Sequence, residues 1–135
     1  MNIVEYLMRF IGRPYIWGGN GSGEFEGGFD CSGLVLEGLW ACGLYGGTDT
    51  TAQGLRNDLN KLGWLCVPKF LEHAGDVLFF GKDEMHITHT AVAIGYGLMI
   101  EAGGGGSKCK TTASSTGMVR VRPIRKDLVA AFRKV

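Results

Sequence analysis

Phe29-Asp30-Cys31-Ser32-Gly33-Leu34-Val35 is the stretch that decides the reading of this 135-residue chain. A glycine-rich loop ends there and a segment of helical apolar spacing begins, with Leu34, Val35, Leu39 and Trp40 close to one face and Gly43 placed to end the run. Asp30 is the expected N-cap. A thiol at that helix start meets unpaired N–H groups and partial positive charge, which favour thiolate over thiol. Cys31 is therefore the candidate nucleophile, with a thiol expected to ionise well below the free value of about 8.5. The competing reading is a small buried cysteine packed against a sheet.

A cysteine nucleophile needs a base, and the chain has three histidines. His73 falls in a polar turn before the strand Val77-Leu78-Phe79-Phe80, and His86 follows the charged run Lys82-Asp83-Glu84-Met85. His89 opens the strand-like run Thr90-Ala91-Val92-Ala93-Ile94, where a rigid element can hold its ring in register with a thiolate. It is the candidate base, with His86 the alternative.

That strand turns at Gly95-Tyr96-Gly97 and returns as Leu98-Met99-Ile100-Glu101-Ala102, a β-hairpin pattern. With a three-residue loop, Ile94 faces Leu98, His89 faces Gly103, and Glu101 becomes the diagonal same-face neighbour of His89. A two-residue loop without a bulge sends Glu101 to the other face. In the first register Glu101 orients the imidazole, completing a Cys-His-Glu set; in the second it is a solvated strand glutamate.

Taken in order, Arg13-Pro14-Tyr15-Ile16-Trp17-Gly18-Gly19, Asp30-Cys31-Ser32-Gly33-Leu34-Val35, Ala74-Gly75-Asp76-Val77-Leu78-Phe79-Phe80 and the run from Thr88-His89 to Ala102 resemble the NlpC family of papain-like cell-wall peptidases. The resemblance implies an α+β fold: N-terminal helices, one carrying the catalytic cysteine, on an antiparallel sheet of about five or six strands. It implies Cys31 as nucleophile, His89 as base and Glu101 as orienting residue. The Cys31 N–H and Tyr15 would stabilise the oxyanion, and Asp30 and Ser32 would contact the stem peptide. Family members typically cut between D-γ-glutamate and a diamino acid in peptidoglycan, so peptidoglycan or a muropeptide is the implied partner.

Three features depart from the family pattern. Glu101 stands where many relatives carry a second histidine. The stretch 20–28 is long, and the glycines 103–106 read as a mobile loop, either a surface insertion or a lid.

Composition sets the outer bounds. A 45% hydrophobic chain with net charge +1 suits one compact domain over 1–135 and carries no basic excess for nucleic acid. No apolar run is long enough to span a membrane, and a secretory signal is not evident. Ile3, Val4, Leu7, Met8 and Ile11 suggest an amphipathic first helix beginning at the N-terminus, and Thr51 and Gln53 either cap a second short helix or line the rim of the groove, with capping or surface roles favoured. Gly117-Met118-Val119-Arg120-Val121-Arg122-Pro123 reads as a half-exposed strand, and residues 125–133 as a strand or short helix.

The expectation is a monomer without metal or cofactor, with Cys42 and Cys66 as small core residues. The compact form leans toward a phage particle or lysis component, with export by another route or a cytoplasmic role as alternatives. A thiol acyltransferase or amidase of the same superfamily, and a non-catalytic binding or phage structural module, are the rival functions.

Overall fold

The computed structural model describes residues 2–135; Met1, where the sequence begins its first helix, lies outside the described residues. Three α-helices, α1 (Ile3–Met8), α2 (Cys31–Ala41) and α3 (Ala52–Lys61), precede or flank six strands: β1 (Leu65–Cys66), β2 (Val77–Gly81), β3 (Ile87–Gly95), β4 (Leu98–Gly103), β5 (Met118–Pro123) and β6 (Leu128–Arg133). The strands form one antiparallel sheet in the order β1-β6-β2-β3-β4-β5. The fold is thus the α+β arrangement expected.

α2 is apolar almost all round and buries Leu34, Val35, Leu36 and Leu39 completely, so it is the central helix of the core. It packs with Leu7 of α1, Leu55 and Leu59 of α3, and Val77, Phe79, Val92 and Ile100 of the sheet. The opposite sheet face carries a smaller cluster around Leu78, Phe80, Ala91, Ala93 and Met99. This two-faced burial is why β2 and β3 read as near-continuous apolar runs.

Local chemistry sets the helix ends. Asp30 accepts a 2.7 Å hydrogen bond from Gly33 N–H, and Thr51 accepts one of 3.1 Å from Gly54 N–H; caps of this kind each contribute about 1 kcal/mol. α1 is shorter than its apolar spacing suggests: it stops at Met8, and both Met8 and Ile11 are exposed. The chain leaves helical geometry there because residues 12–15 pair beside β5, with Gly12 N–H on Val119 O and Tyr15 N–H on Gly117 O.

Two further expectations are corrected. Cys66 sits on the two-residue edge strand β1 and is exposed rather than packed in the core. The β3–β4 turn has two residues, not three: Gly95 pairs with Leu98, and a bulge between Ala93 and Gly95 absorbs the extra residue. Tyr96 and Gly97 both have positive φ, 59° and 75°, as a primed hairpin turn requires. Past the bulge Ala93 pairs with Met99 and Val92 with Ile100. That is the register in which Glu101 shares a face with His89.

Candidate active site

Cys31 is the first residue of α2, and the loop before it is fixed by two motifs in contact. Asp30 N–H bonds to Gly19 O, and a Cβ on Gly33 would stand 1.9 Å from that same carbonyl oxygen. The double glycine and the Asp-Cys-Ser-Gly run thus meet backbone to backbone, and no side chain fits between them. Tyr15 is held beside them by bonds from its N–H to Gly117 O and from Ser115 Oγ to its carbonyl, and is buried. Burial, then the neighbouring Cys31 and Asp30, push its phenol well above the ordinary tyrosine range. It remains an O–H donor beside the thiol.

The thiol departs from expectation. Burial and the Asp30 carboxylate push Cys31 up to about 11, outweighing the N–H groups of Thr90, Ser32 and Cys31 itself. The helix start does favour thiolate, but its cap is an anion placed against the sulfur, and desolvation adds to the penalty. At neutral pH the free protein therefore holds a thiol. Burial also raises the Asp30 carboxyl, against the Gly33 N–H. Ser32 is buried and its hydroxyl lies 3.4 Å from Asp30 Oδ1.

The second half of the site lies on β3 and β4. A bulge at Thr88 between the pairs Phe80–His89 and Gly81–Ile87 lets Ile87 bury on the helix side while His89 joins the opposite face beside Phe80, ring centroids 5.6 Å apart. His89 Nε2–H donates to Glu101 Oε1 at 2.7 Å, and Glu101 is 1% exposed. Burial pushes the Glu101 carboxyl up, but the hydrogen bonds from His89 and Arg120 prevail and lower it to about 2. An ionised carboxylate only accepts, so it fixes the imidazole as the Nε2–H tautomer and leaves Nδ1 free.

The two halves meet at Thr90, the neighbour of His89, whose backbone N–H acts on the Cys31 sulfur. The other histidines stay apart: His73 is exposed, and His86 is exposed with its Nδ1 2.7 Å from Asp83. Among the described residues no group of three or more His, Cys, Asp or Glu is arranged to hold a metal ion. No helix there is long and apolar enough to cross a membrane.

Sequence reasoning missed three contributors. Arg120 Nε donates to Glu101 Oε2 at 2.9 Å, and Arg122 Nη1 lies 3.5 Å from the same oxygen. Gln53 does more than cap: its Oε1 accepts from Ile87 N–H at 2.7 Å and its Nε2 donates to Glu84 O at 2.9 Å, fixing the start of β3 two residues before His89. The alternating arginines of β5 were a visible signal, but only strand order and register place Arg120 opposite Glu101.

The glycine run 103–106 and the segment after it are tied down at three points: Thr116 Oγ1 donates to Gly104 O, Trp17 N–H to Cys109 O, and Thr112 N–H to Glu26 Oε1.

The helix-on-sheet topology matches solved domains of one family. The NlpC/P60 family model matches residues 12–126. The chain belongs to the NlpC/P60 family. It is 33% identical over 132 residues to the peptidoglycan endopeptidase RipA of Mycobacterium tuberculosis, covering 91% of this chain and 24% of that protein. It is 33% identical over 107 residues to the bifunctional muramidase/DL-endopeptidase CwlT of Bacillus subtilis, covering 77% and 29%.

The chain thus spans about a quarter of those relatives. Among solved structures, the P60 domain of a Mycobacterium avium subspecies paratuberculosis antigen superposes with TM-score 0.70 at 26% identity, over 98% of this chain and 90% of that one. RipA mutated at a histidine gives TM-score 0.70 at 27% identity, over 98% and 60%.

Proposed function

We propose that this single domain is a cysteine peptidase that hydrolyses peptide bonds of peptidoglycan stem peptides, of the D-γ-glutamyl–diamino acid type. The observation that carries the reading is the 2.7 Å bond from His89 Nε2–H to buried Glu101, on the strand whose next N–H reaches the Cys31 sulfur. The names of relatives support it: RipA is called a peptidoglycan endopeptidase and CwlT a DL-endopeptidase. RipA has been solved in forms mutated at a cysteine, a histidine and a glutamate, the last two twelve positions apart. His89 and Glu101 have the same separation.

In this mechanism His89 Nδ1 takes the Cys31 proton as the sulfur attacks the carbonyl carbon, so the nucleophile forms during attack rather than before it. Tyr15 O–H and the Cys31 N–H receive the oxyanion. The C–N bond breaks as the imidazolium protonates the leaving amine. Water, deprotonated by the same nitrogen, then cleaves the thioester and the thiol returns. Asp30, with Ser32 against it, offers a carboxylate suited to a free amine of the stem peptide.

A second reading has its own support in the raised thiol: a binding module with an inert cysteine. RipD of Mycobacterium tuberculosis, 21% identical, shares the fold with TM-score 0.71 and is described as a non-catalytic NlpC/p60 domain protein. Mass spectrometry of diaminopimelate- and lysine-type muropeptides after incubation with wild type and Cys31→Ala separates the readings. New fragments with wild type alone are expected and identify the bond. Intact substrates with an alkylatable Cys31 point instead to an acyl acceptor other than water, and an inert Cys31 to binding.

A further inference from the structure

Glu101 is held from three sides, and only one of them is the histidine. Its Oε1 takes the His89 proton donor; its Oε2 takes Arg120 Nε at 2.9 Å, with Arg122 at 3.5 Å. Beneath it lies Gly103, where a Cβ would stand 2.5 Å from Oε2 and 2.8 Å from the carboxyl carbon. Gly103 does not have positive φ, so backbone conformation does not require glycine there; the Glu101 carboxylate occupies the space. The next glycine, Gly104, packs against the same arginine, its Cβ position 3.3 Å from Arg120 Nη1. The glycine run is shaped around the Glu101–Arg120 pair.

We propose that Arg120 and the side-chain-free floor at Gly103 are positioning elements of the site, dividing the two oxygens of Glu101 so that Oε1 alone faces His89 Nε2–H and Nδ1 stays free for Cys31. This rests on the hydrolytic reading for its purpose, though not for its geometry. A carboxylate with only the imidazole as partner swings between the two nitrogens' approaches and, bearing its full charge on the ring, stabilises imidazolium strongly. A guanidinium on the second oxygen fixes the plane through a directional N–H and offsets that charge.

The charged groups that face the ring and carboxylate are Arg120 and Arg122 on β5, against Glu101, and Asp127 ahead of β6, which acts on His89 and has its own partner Arg125; Cys31 and Asp30, at the start of α2, lie across the Thr90 N–H. Arg120 makes the shorter of the two contacts to Glu101 from β5.

The test uses the full chain with 15N-labelled histidine, reading the ring nitrogens of His89 by NMR and kcat and KM against pH on a muropeptide. Wild type is expected to show the Nε2–H tautomer. Arg120→Met is expected to mix the tautomers, lower kcat about tenfold with KM unchanged, and move the acid limb of the profile to higher pH, because the uncompensated carboxylate holds the imidazolium proton.

Arg120→Lys restores the limb but only part of kcat. Should Arg120→Met fail to fold with its carboxylate unpaired, Gly103→Ala gives the answer: all charges remain, the displaced atoms are the end of a flexible side chain, and the tautomers are again expected to mix. Wild-type tautomer populations in Gly103→Ala, or an unmoved limb and wild-type tautomer in folded Arg120→Met, overturn the proposal. The spectra decide it even if no muropeptide is cut, so its failure and that of the peptidase reading are distinguishable.

Discussion

The helix arm and the strand arm of the site treat charge in opposite ways. Around Cys31, burial and the Asp30 cap hold the thiol protonated, up to about 11. Around Glu101, the His89 imidazole and the Arg120 guanidinium outweigh burial and hold the carboxyl ionised, down to about 2, although it is the more completely enclosed group. Anion on one side is opposed and on the other secured. Under the proposed mechanism, this site stores its negative charge in the residue that does not react, and makes its nucleophile only when a proton can pass to His89.

The comparison is broken most completely by Cys31→Ala, which leaves the strand arm intact: hydrolysis is expected to fall by about 10^4-fold or more, while circular dichroism and the thermal transition stay close to wild type. His89→Ala is expected to cost about 10^3- to 10^4-fold, whereas His86→Ala, on an exposed side chain, leaves kcat/KM unchanged; the reverse result would remove His89 as base. Glu101→Gln keeps an oxygen for Nε2–H but loses the charge, and a reduction of about 10- to 100-fold is expected from steady-state kinetics.

Smaller effects sharpen the contrast. Asp30→Asn retains a capping side chain and removes the anion beside sulfur, so the midpoint of iodoacetamide alkylation against pH should move down. An unmoved midpoint would mean that burial alone raises the thiol.

Stability should follow the two arms in opposite pH windows. Glu101, lower in the folded than in the unfolded state, contributes stability that is complete above its ordinary value of about 4.5 and is lost as pH falls toward 2. Cys31, higher in the folded state, contributes stability that is complete below about 9 and is lost as pH rises through about 11. Urea melts of wild type against Glu101→Gln and Cys31→Ala isolate each contribution as the difference between the curves.

Much of this was legible in the chain. The turn from glycine loop to apolar helix at Cys31, its Asp30 cap and the hairpin carrying His89 and Glu101 are local patterns, and local patterns survive folding. What was hidden depends on neighbours distant in sequence. Arg120 looked like an outward strand residue because nothing nearby says that β5 lies next to β4. The raised thiol was misread because a helix start announces its dipole, while desolvation and the orientation of the cap are properties of the packed site. Glycines 103–106 read as a loop in the sequence; at Gly103, against the Glu101 carboxylate, and at Gly105, against the Tyr15 ring, glycine serves close approach.

The exposed turn at Tyr96 and Gly97, with the bulge at the end of β3 that precedes it, gives the domain an unexpected rule for insertions and deletions. A surface tip carrying a fully exposed tyrosine looks like a tolerant place to lengthen or trim. Yet it counts residues between the strand of His89 and the strand of Glu101. Loss of one residue there is neutral only if the bulge closes with it, which leaves Ala93 opposite Met99; with the bulge kept, the register slips by one and Glu101 turns to the opposite face from His89. The bulge therefore acts as a one-residue reserve: a single deletion at this tip should be tolerated by spending it, and a further odd change should separate the partners at the other end of the hairpin.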